Sequence, residues 1–325
     1  MILREIPDVP PRPVTPQNIA FRRWLYPRWG KENALISART RYAEIERTEQ
    51  PFSIKAAWGG VSEHRVGSRR LCVDDDCYLV LNEDQTYSSV FQGDPAVNAL
   101  CLFMRRGLPA EVNGALVAPL EAALADDGCV APRAVEFAEN LRPHDAAISP
   151  ILRLMRHKVA EGLADEAWVE EQCHRLLARL IEGEHRLRNR ADRIDSIKPA
   201  TREELLRRLG WAADFMQSSY ADAISLDDVA RAARLSKFHL IRLFRRVHGV
   251  TPHVFLQNKR ARVARRLIES TALELNEIAV QVGFGTRFTM FRQLRRVYGA
   301  SGLELRRPAL PLHRPARLAA EARQA

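Results

Sequence analysis

Arginines and phenylalanines recur at fixed spacing in the last third of this 325-residue chain. Laying residue n on residue n+50, Lys237 meets Arg287, Phe238 meets Phe288, Arg242 meets Arg292, and Arg245-Arg246 meets Arg295-Arg296. Leu240 meets Met290, Phe244 meets Leu294, Val247 meets Val297 and Gly249 meets Gly299, so basic falls on basic, apolar on apolar and glycine on glycine. The unit occurs twice. Its chemistry is recognition rather than bond breaking: a guanidinium fork matches guanine O6 and N7 or a phosphate, and an apolar side chain beside it can touch a thymine methyl.

Other reactive types are sparse. His64 beside Glu63 could be half of a metal pair, but a metal site needs several converging ligands, and the pair reads as a strand-surface pair. Asp74-Asp75-Asp76 lacks the remaining ligands and the glycine of a calcium loop and reads as a hairpin turn. The cysteines Cys72, Cys77, Cys101, Cys129 and Cys173 match neither a redox pair nor a zinc motif, which fits a reducing, cytoplasmic setting. No GxSxG elbow, Walker loop or HExxH is present, so no catalytic constellation, metal or cofactor is expected.

The elements that must position the repeated residues are short helices. Ser225 is placed to cap a helix over Leu226–Ala233, Ser236 to cap one running to His248, and Gly249 stands where a left-handed residue ends a helix. The second copy runs from Leu275 to Val282, turns through Gly283-Phe284-Gly285, and continues from the cap Thr286 to Gly299. Its turn is one residue longer. Two short helices joined this way form a helix-turn-helix. On each second helix Leu240, Phe244 and Val247, or Met290, Leu294 and Val297, face the core. Lys237, Phe238, Ile241, Arg242 and Arg245, matched by Arg287, Phe288, Phe291, Arg292 and Arg295, face outward. Ser236, His239, Arg246, Thr286 and Arg296 complete the candidate DNA-binding set. A long helix over about 253–270 separates the motifs, and two such helices reading successive major grooves need to lie about 34 Å apart along the duplex.

Charge distribution agrees. The chain carries 50 Lys+Arg and 40 Asp+Glu. Residues 201–325 hold a net of +12 and residues 1–200 a net of −2, so a polyanion partner belongs to one half only. With 46% apolar and 28% charged residues the chain supports real cores. The Pro-punctuated start lacks the apolar stretch of a signal peptide, and no run reaches membrane-spanning length, so a soluble protein without a membrane partner is expected.

Residues 201–307 resemble the C-terminal domain of the AraC/XylS bacterial transcription regulators, on the segments SLDDVARAARLSKFHLIRLFRRVHGVTPHVFLQNKRARVARRLI and ELNEIAVQVGFGTRFTMFRQLRRVYGASGLELRR. The resemblance implies that Lys237, Phe238, Ile241 and Arg242 read bases in the first motif, and Arg287, Phe288 and Arg292 in the second. The chain departs from the family pattern at Gly302, where proline is usual, at Phe288, where a small polar residue is usual, and at Met290 and Leu305, where aromatics are usual. It also implies a β-rich, often cupin-like N-terminal domain that senses a small molecule or mediates dimerisation.

The expected fold class is therefore α+β. Residues 1–195 form a sensor or dimerisation domain, β-rich over about 52–104 as a barrel or sandwich and helical over about 105–190; residues 196–307 bind DNA; residues 308–325 form a tail. Phe52, Ile54, Ala56 and Trp58 alternate along one strand face, and turns are expected at Gly59-Gly60, Gly67-Ser68, Asn82-Glu83-Asp84 and Gly93-Asp94-Pro95. Arg188–Ala200 reads as a linker. Val169, Cys173, Leu176 and Leu180 form an apolar stripe that suits either a homodimer interface or packing on the chain's own sheet. The expected function is a sequence-specific, effector-modulated DNA-binding transcription regulator acting as a homodimer, with RNA polymerase a further partner. An architectural DNA-binding protein and a cupin-type enzyme with a DNA-binding tail are the alternatives.

Overall fold

Strand β3 (Ser53–Trp58) shows how the N-terminal half is built. Ile54, Ala56 and Trp58 face one way and join a core with helices; Ser53, Lys55 and Ala57 face the other way, and all six residues are buried. A strand buried on both sides has packed layers over both faces, as in a covered sheet or the wall of a filled barrel. The computed structural model describes residues 1–4, 20, 23–117, 135–192 and 199–306, and shows a nearly closed antiparallel barrel.

Its strands are β1 (Ile2–Leu3), β2 (Ala34–Gln50), β3, β4 (Val61–Val66), β5 (Arg69–Val73), β6 (Cys77–Leu81), β7 (Gln85–Phe103) and β8 (Leu141–Pro143). The order is β1-β2-β7-β3-β6-β8, with β4 pairing β5 and β7. The barrel is thus more extensive than the 52–104 region expected, because β2 adds seventeen residues whose charged second half hides its alternation. The turn expected at Gly93-Asp94-Pro95 is strand. β7 continues through it, pairing β4 over Tyr87–Gln92 and β3 over Asn98–Phe103, while its register with β2 shifts between Thr40 and Tyr42. The breaker residues make a bulge, and the bulge bends one long strand between two partners. Gly60 lies at this corner because a Cβ there would come within 2.5 Å of Val97 Cγ2.

Helices α1 (Leu108–Val117), α2 (Ser149–Ala160) and α3 (Glu166–Asp192) follow. Val169, Cys173, Leu176 and Leu180 are fully buried on α3, in one core with Ile54, Leu100, Leu102, Leu152 and Met155. Of the two readings of the stripe, these four side chains follow packing on the chain's own sheet, and they are not exposed for a homodimer interface. The expected linker at 188–200 is helical at both ends, since α3 runs to Asp192 and α4 (Pro199–Ser218) starts at Pro199; residues 193–198 lie outside the described residues. Most of the Pro-punctuated start, Cys129 and the 308–325 tail lie outside them too.

α4 docks on β5 and β8, where Cys72 N donates to Ser218 Oγ at 3.0 Å and Leu141 N to Asp214 Oδ1 at 2.7 Å. Then come α5 (Leu226–Ala232), α6 (Lys237–His248), α7 (Pro252–Ser270), α8 (Leu275–Gln281), α9 (Arg287–Tyr298) and the short α10 (Gly302–Leu305). The chain groups into two compact units, one of Met1–Tyr220 with Ile224–Phe255, the other of Ala221–Ala223 with the residues from Leu256 onward. The first helix-turn-helix thus belongs to the barrel's unit and the second to the other. Among the described residues no helix is long and apolar enough to cross a membrane.

Candidate nucleic-acid interface

Each motif is fixed by its caps. Ser225 Oγ accepts from Asp228 N while Asp228 Oδ2 accepts from Ser225 N, a reciprocal capping box at the start of α5. Ser236 and Thr286 cap α6 and α9 by accepting from His239 N and Thr289 N. Gly249 and Gly299 end those helices at φ of 76° and 71°, the left-handed geometry glycine takes without strain.

The turns agree atom for atom until the extra residue. Leu235 N donates to Ala230 O at 3.0 Å, and Phe284 N to Ala279 O at 2.8 Å. The left-handed position between them is Arg234 in the first motif, at φ 52°, and Gly283 in the second, at φ 82°. The added residue is Gly285, also left-handed at φ 73°. It lengthens the turn without moving the cap out of place.

The outward faces carry the repeated set. Phe238 is 88% exposed and Phe288 72%, in the first turns of α6 and α9. A large ring is thus left in water at the same position of both motifs. Ile241, Arg242, Arg245, Arg246, Arg287, Arg292, Arg295 and Arg296 are exposed with them, as are Ser236, His239 and Thr286. Arg287 lies over the Phe288 ring at 5.2 Å, while Lys237 Nζ meets Asp227 Oδ2 at 2.9 Å and so ties α6 to α5. Leu240, Phe244, Met290 and Leu294 are buried as expected, whereas Val247 is half-buried and Val297 38% exposed.

Phe291 departs from the expected groove face. It is half-buried and rests on Gly302, where a Cβ would meet its Cε1 at 2.4 Å. Gly302 opens α10 directly after the cap Ser301, a first-turn position that suits proline. Glycine stands there because the Phe291 ring fills the space a ring or methyl would take.

In the barrel, Glu63 binds Arg65 and Arg70 at 2.8 and 2.7 Å at the surface, but His64 is fully buried. Its ring nitrogens meet Ser62 Oγ at 3.1 Å and Ser89 Oγ at 2.8 Å, and burial beside Lys55 pushes it down to about 3. It is a neutral core histidine, not half of a surface pair. Among the described residues no cluster of three or more His, Cys, Asp or Glu is placed to hold a metal. The Asp74–Asp76 segment is a turn, closed by Asp76 N donating to Asp74 Oδ1 at 3.0 Å. Sequence reasoning missed Lys55, which lies inside the barrel on the face of β3 that alternation alone would give to solvent.

Two capped helix pairs with matched cationic and aromatic faces define a tandem helix-turn-helix domain. Residues 229–308 match the family described as a helix-turn-helix domain. Over 77 residues it is 30% identical to the uncharacterized HTH-type transcriptional regulator YbfI of Bacillus subtilis, covering 24% of this chain and 28% of that one. Over 95 residues it is 27% identical to the lactose operon transcription activator of Staphylococcus xylosus, covering 29% and 34%. The chain therefore spans about a third of the length of these relatives. Among solved structures, the DNA-binding domain of the global transcriptional factor AdpA, in complex with a target DNA, is 25% identical, with a TM-score of 0.28 over 31% of this chain and 88% of that one.

Proposed function

We propose that this chain is a sequence-specific DNA-binding transcription regulator whose helices α6 and α9 each enter a major groove, and whose activity is set by a small molecule held in the N-terminal barrel. The observation that carries this is the exposed Phe238 and Phe288, each followed four residues later by an exposed arginine, at equivalent places in two motifs. Arg242 and Arg292 are the base-reading arginines and Arg246 and Arg296 the phosphate contacts, because a recognition helix meets base edges near its start and the backbone further along. Functionally, sensing belongs to residues up to about 195 and DNA reading to 196–307, even though the boundary of the compact units falls at Phe255. The test is selection of bound sequences from a random DNA library with the purified full chain. A reproducible site spanning two half-sites about one helical turn apart supports the reading. Strong salt-dependent binding with no enriched sequence would replace it with an architectural role.

A further inference from the structure

The barrel holds a partly open cavity of about 240 Å3, walled by Ile36, Ile45, Phe91 and Phe103, with Trp29 beside them. Lys55 is the one cationic residue in its lining, and it is 2% exposed. No carboxylate or hydrogen-bond acceptor among the described residues binds its ammonium, which rests on the Phe103 ring at 3.4 Å from the centroid and lies 5.2 Å from that of Tyr87. Apart from the neighbouring Cys101 thiol, rings are what hold this ammonium out of water, which is costly, and the cost is reduced by an anion brought alongside it. Burial draws Lys55 down to about 8, so it still carries its proton at neutral pH.

The rest of the lining narrows the class. Tyr87 Oη is engaged with Ser53 Oγ at 3.3 Å, Ser89 Oγ with His64 at 2.8 Å, and Gln50 Oε1 accepts from Trp29 Nε1 at 3.1 Å. A sugar needs many directed donors and acceptors, and these three side chains are engaged; the other polar residues of the lining, Tyr26 and the carboxylate Glu49, are exposed residues. A phosphate needs more than one cation or a set of backbone donors, and the cavity offers one lysine. We propose that the cavity binds a monocarboxylate with an apolar body, its carboxylate paired with Lys55 Nζ and its hydrocarbon among Ile36, Ile45, Phe91 and Phe103. This rests on reading the barrel as the effector domain.

The test uses the full chain and three probes of one length, octanoate, octanol and octylamine, followed by calorimetry and by Trp29-dependent fluorescence. Octanoate is expected to bind at least about tenfold more tightly than octanol, with octylamine weakest. Lys55→Met, checked for its fold by circular dichroism, is expected to bind octanoate and octanol alike, and Lys55→Arg to keep the preference. Equal binding of octanoate and octanol by the unaltered chain overturns the proposal without reference to any variant, and so does a preference that survives Lys55→Met. Affinity for the selected DNA site is measured in the same samples. Octanoate held at Lys55 with no change in DNA affinity upholds the ligand class and overturns the effector reading; DNA affinity that responds to octanol as strongly as to octanoate overturns the ligand class alone.

Discussion

Arg242 and Arg246 stand one helical turn apart on α6, and their separation predicts different losses. Arg242→Ala should weaken binding to the selected site by roughly 1–3 kcal/mol and change binding to scrambled DNA little, because a lost base contact is a lost preference. Arg246→Ala should weaken both alike and lower the slope of log affinity against log salt by about one. Titrations on the two DNAs across a salt series decide it: equal losses for Arg242→Ala would assign it to positioning. Lys55 gives a second prediction at this scale. Its fall from 10.5 to about 8 by burial corresponds to a cost on the order of 3 kcal/mol. Below pH 8 the folded and unfolded lysines are both charged and the cost stands in full. Between pH 8 and 10.5 the unfolded chain binds a proton that the folded chain does not, so stability rises with pH. Lys55→Met should therefore be the more stable protein at neutral pH, with the difference shrinking as pH passes through about 9. Urea midpoints for both chains at several pH values measure this, and a gap that is constant with pH would mean that Lys55 is not buried as a cation.

The contact between α9 and α10 predicts coupling between two positions eleven apart in sequence. Gly302→Ala puts a methyl where Phe291 lies, and overpacking of this kind costs roughly 1–3 kcal/mol. Phe291→Leu alone removes ring contacts, while the double variant should recover part of the loss. Urea unfolding of the three variants should give a non-additive sum, and simple additivity would mean that the ring swings aside freely. These elements also show what the sequence makes legible. The helix pairs, their caps and the extra turn residue could be read because capping chemistry and the left-handed glycine are local, and because a duplicated unit allows each copy to be checked against the other. Phe291 was misplaced because periodicity assigns a face but does not know that α10 folds back onto it. The α3 stripe was readable as apolar, but not as to what covers it: Leu176 shares its core with sheet residues more than seventy positions away. His64 and Lys55 were hidden for a third reason. Alternation in an open sheet gives one face to water, and only barrel closure turns that face inward.

At the scale of the molecule, the proposed effector cavity and the first motif are joined by contiguous contacts within one compact unit. Ser89 in the cavity wall holds His64 on β4, β4 pairs with β5, and Arg69 on β5 reaches Asp214 on α4 at 3.3 Å. Burial raises the Asp214 carboxyl to about 7, while Arg69 and the Leu141 N–H pull it down. On α4, Trp211 lies within 5.9 Å of the guanidinium carbons of Arg69, Arg207 and Arg234, and Arg208 donates to Arg234 O at 3.1 Å. Arg234 is the left-handed residue of the turn that sets α6. Contiguity alone does not establish coupling, so the measure must be the coupling itself. In the unaltered chain a cavity ligand should change affinity for the selected DNA about 5–150-fold, and DNA should change affinity for that ligand by the same factor. Asp214→Asn keeps an acceptor for Leu141 N but loses its attraction for Arg69. It should leave each separate affinity within about threefold and reduce the reciprocal factor toward one. Binding of octanoate with and without DNA, and of DNA with and without octanoate, closes the cycle for both chains. A factor unchanged in Asp214→Asn would mean that α4 merely supports the barrel and that the signal, if carried, passes elsewhere.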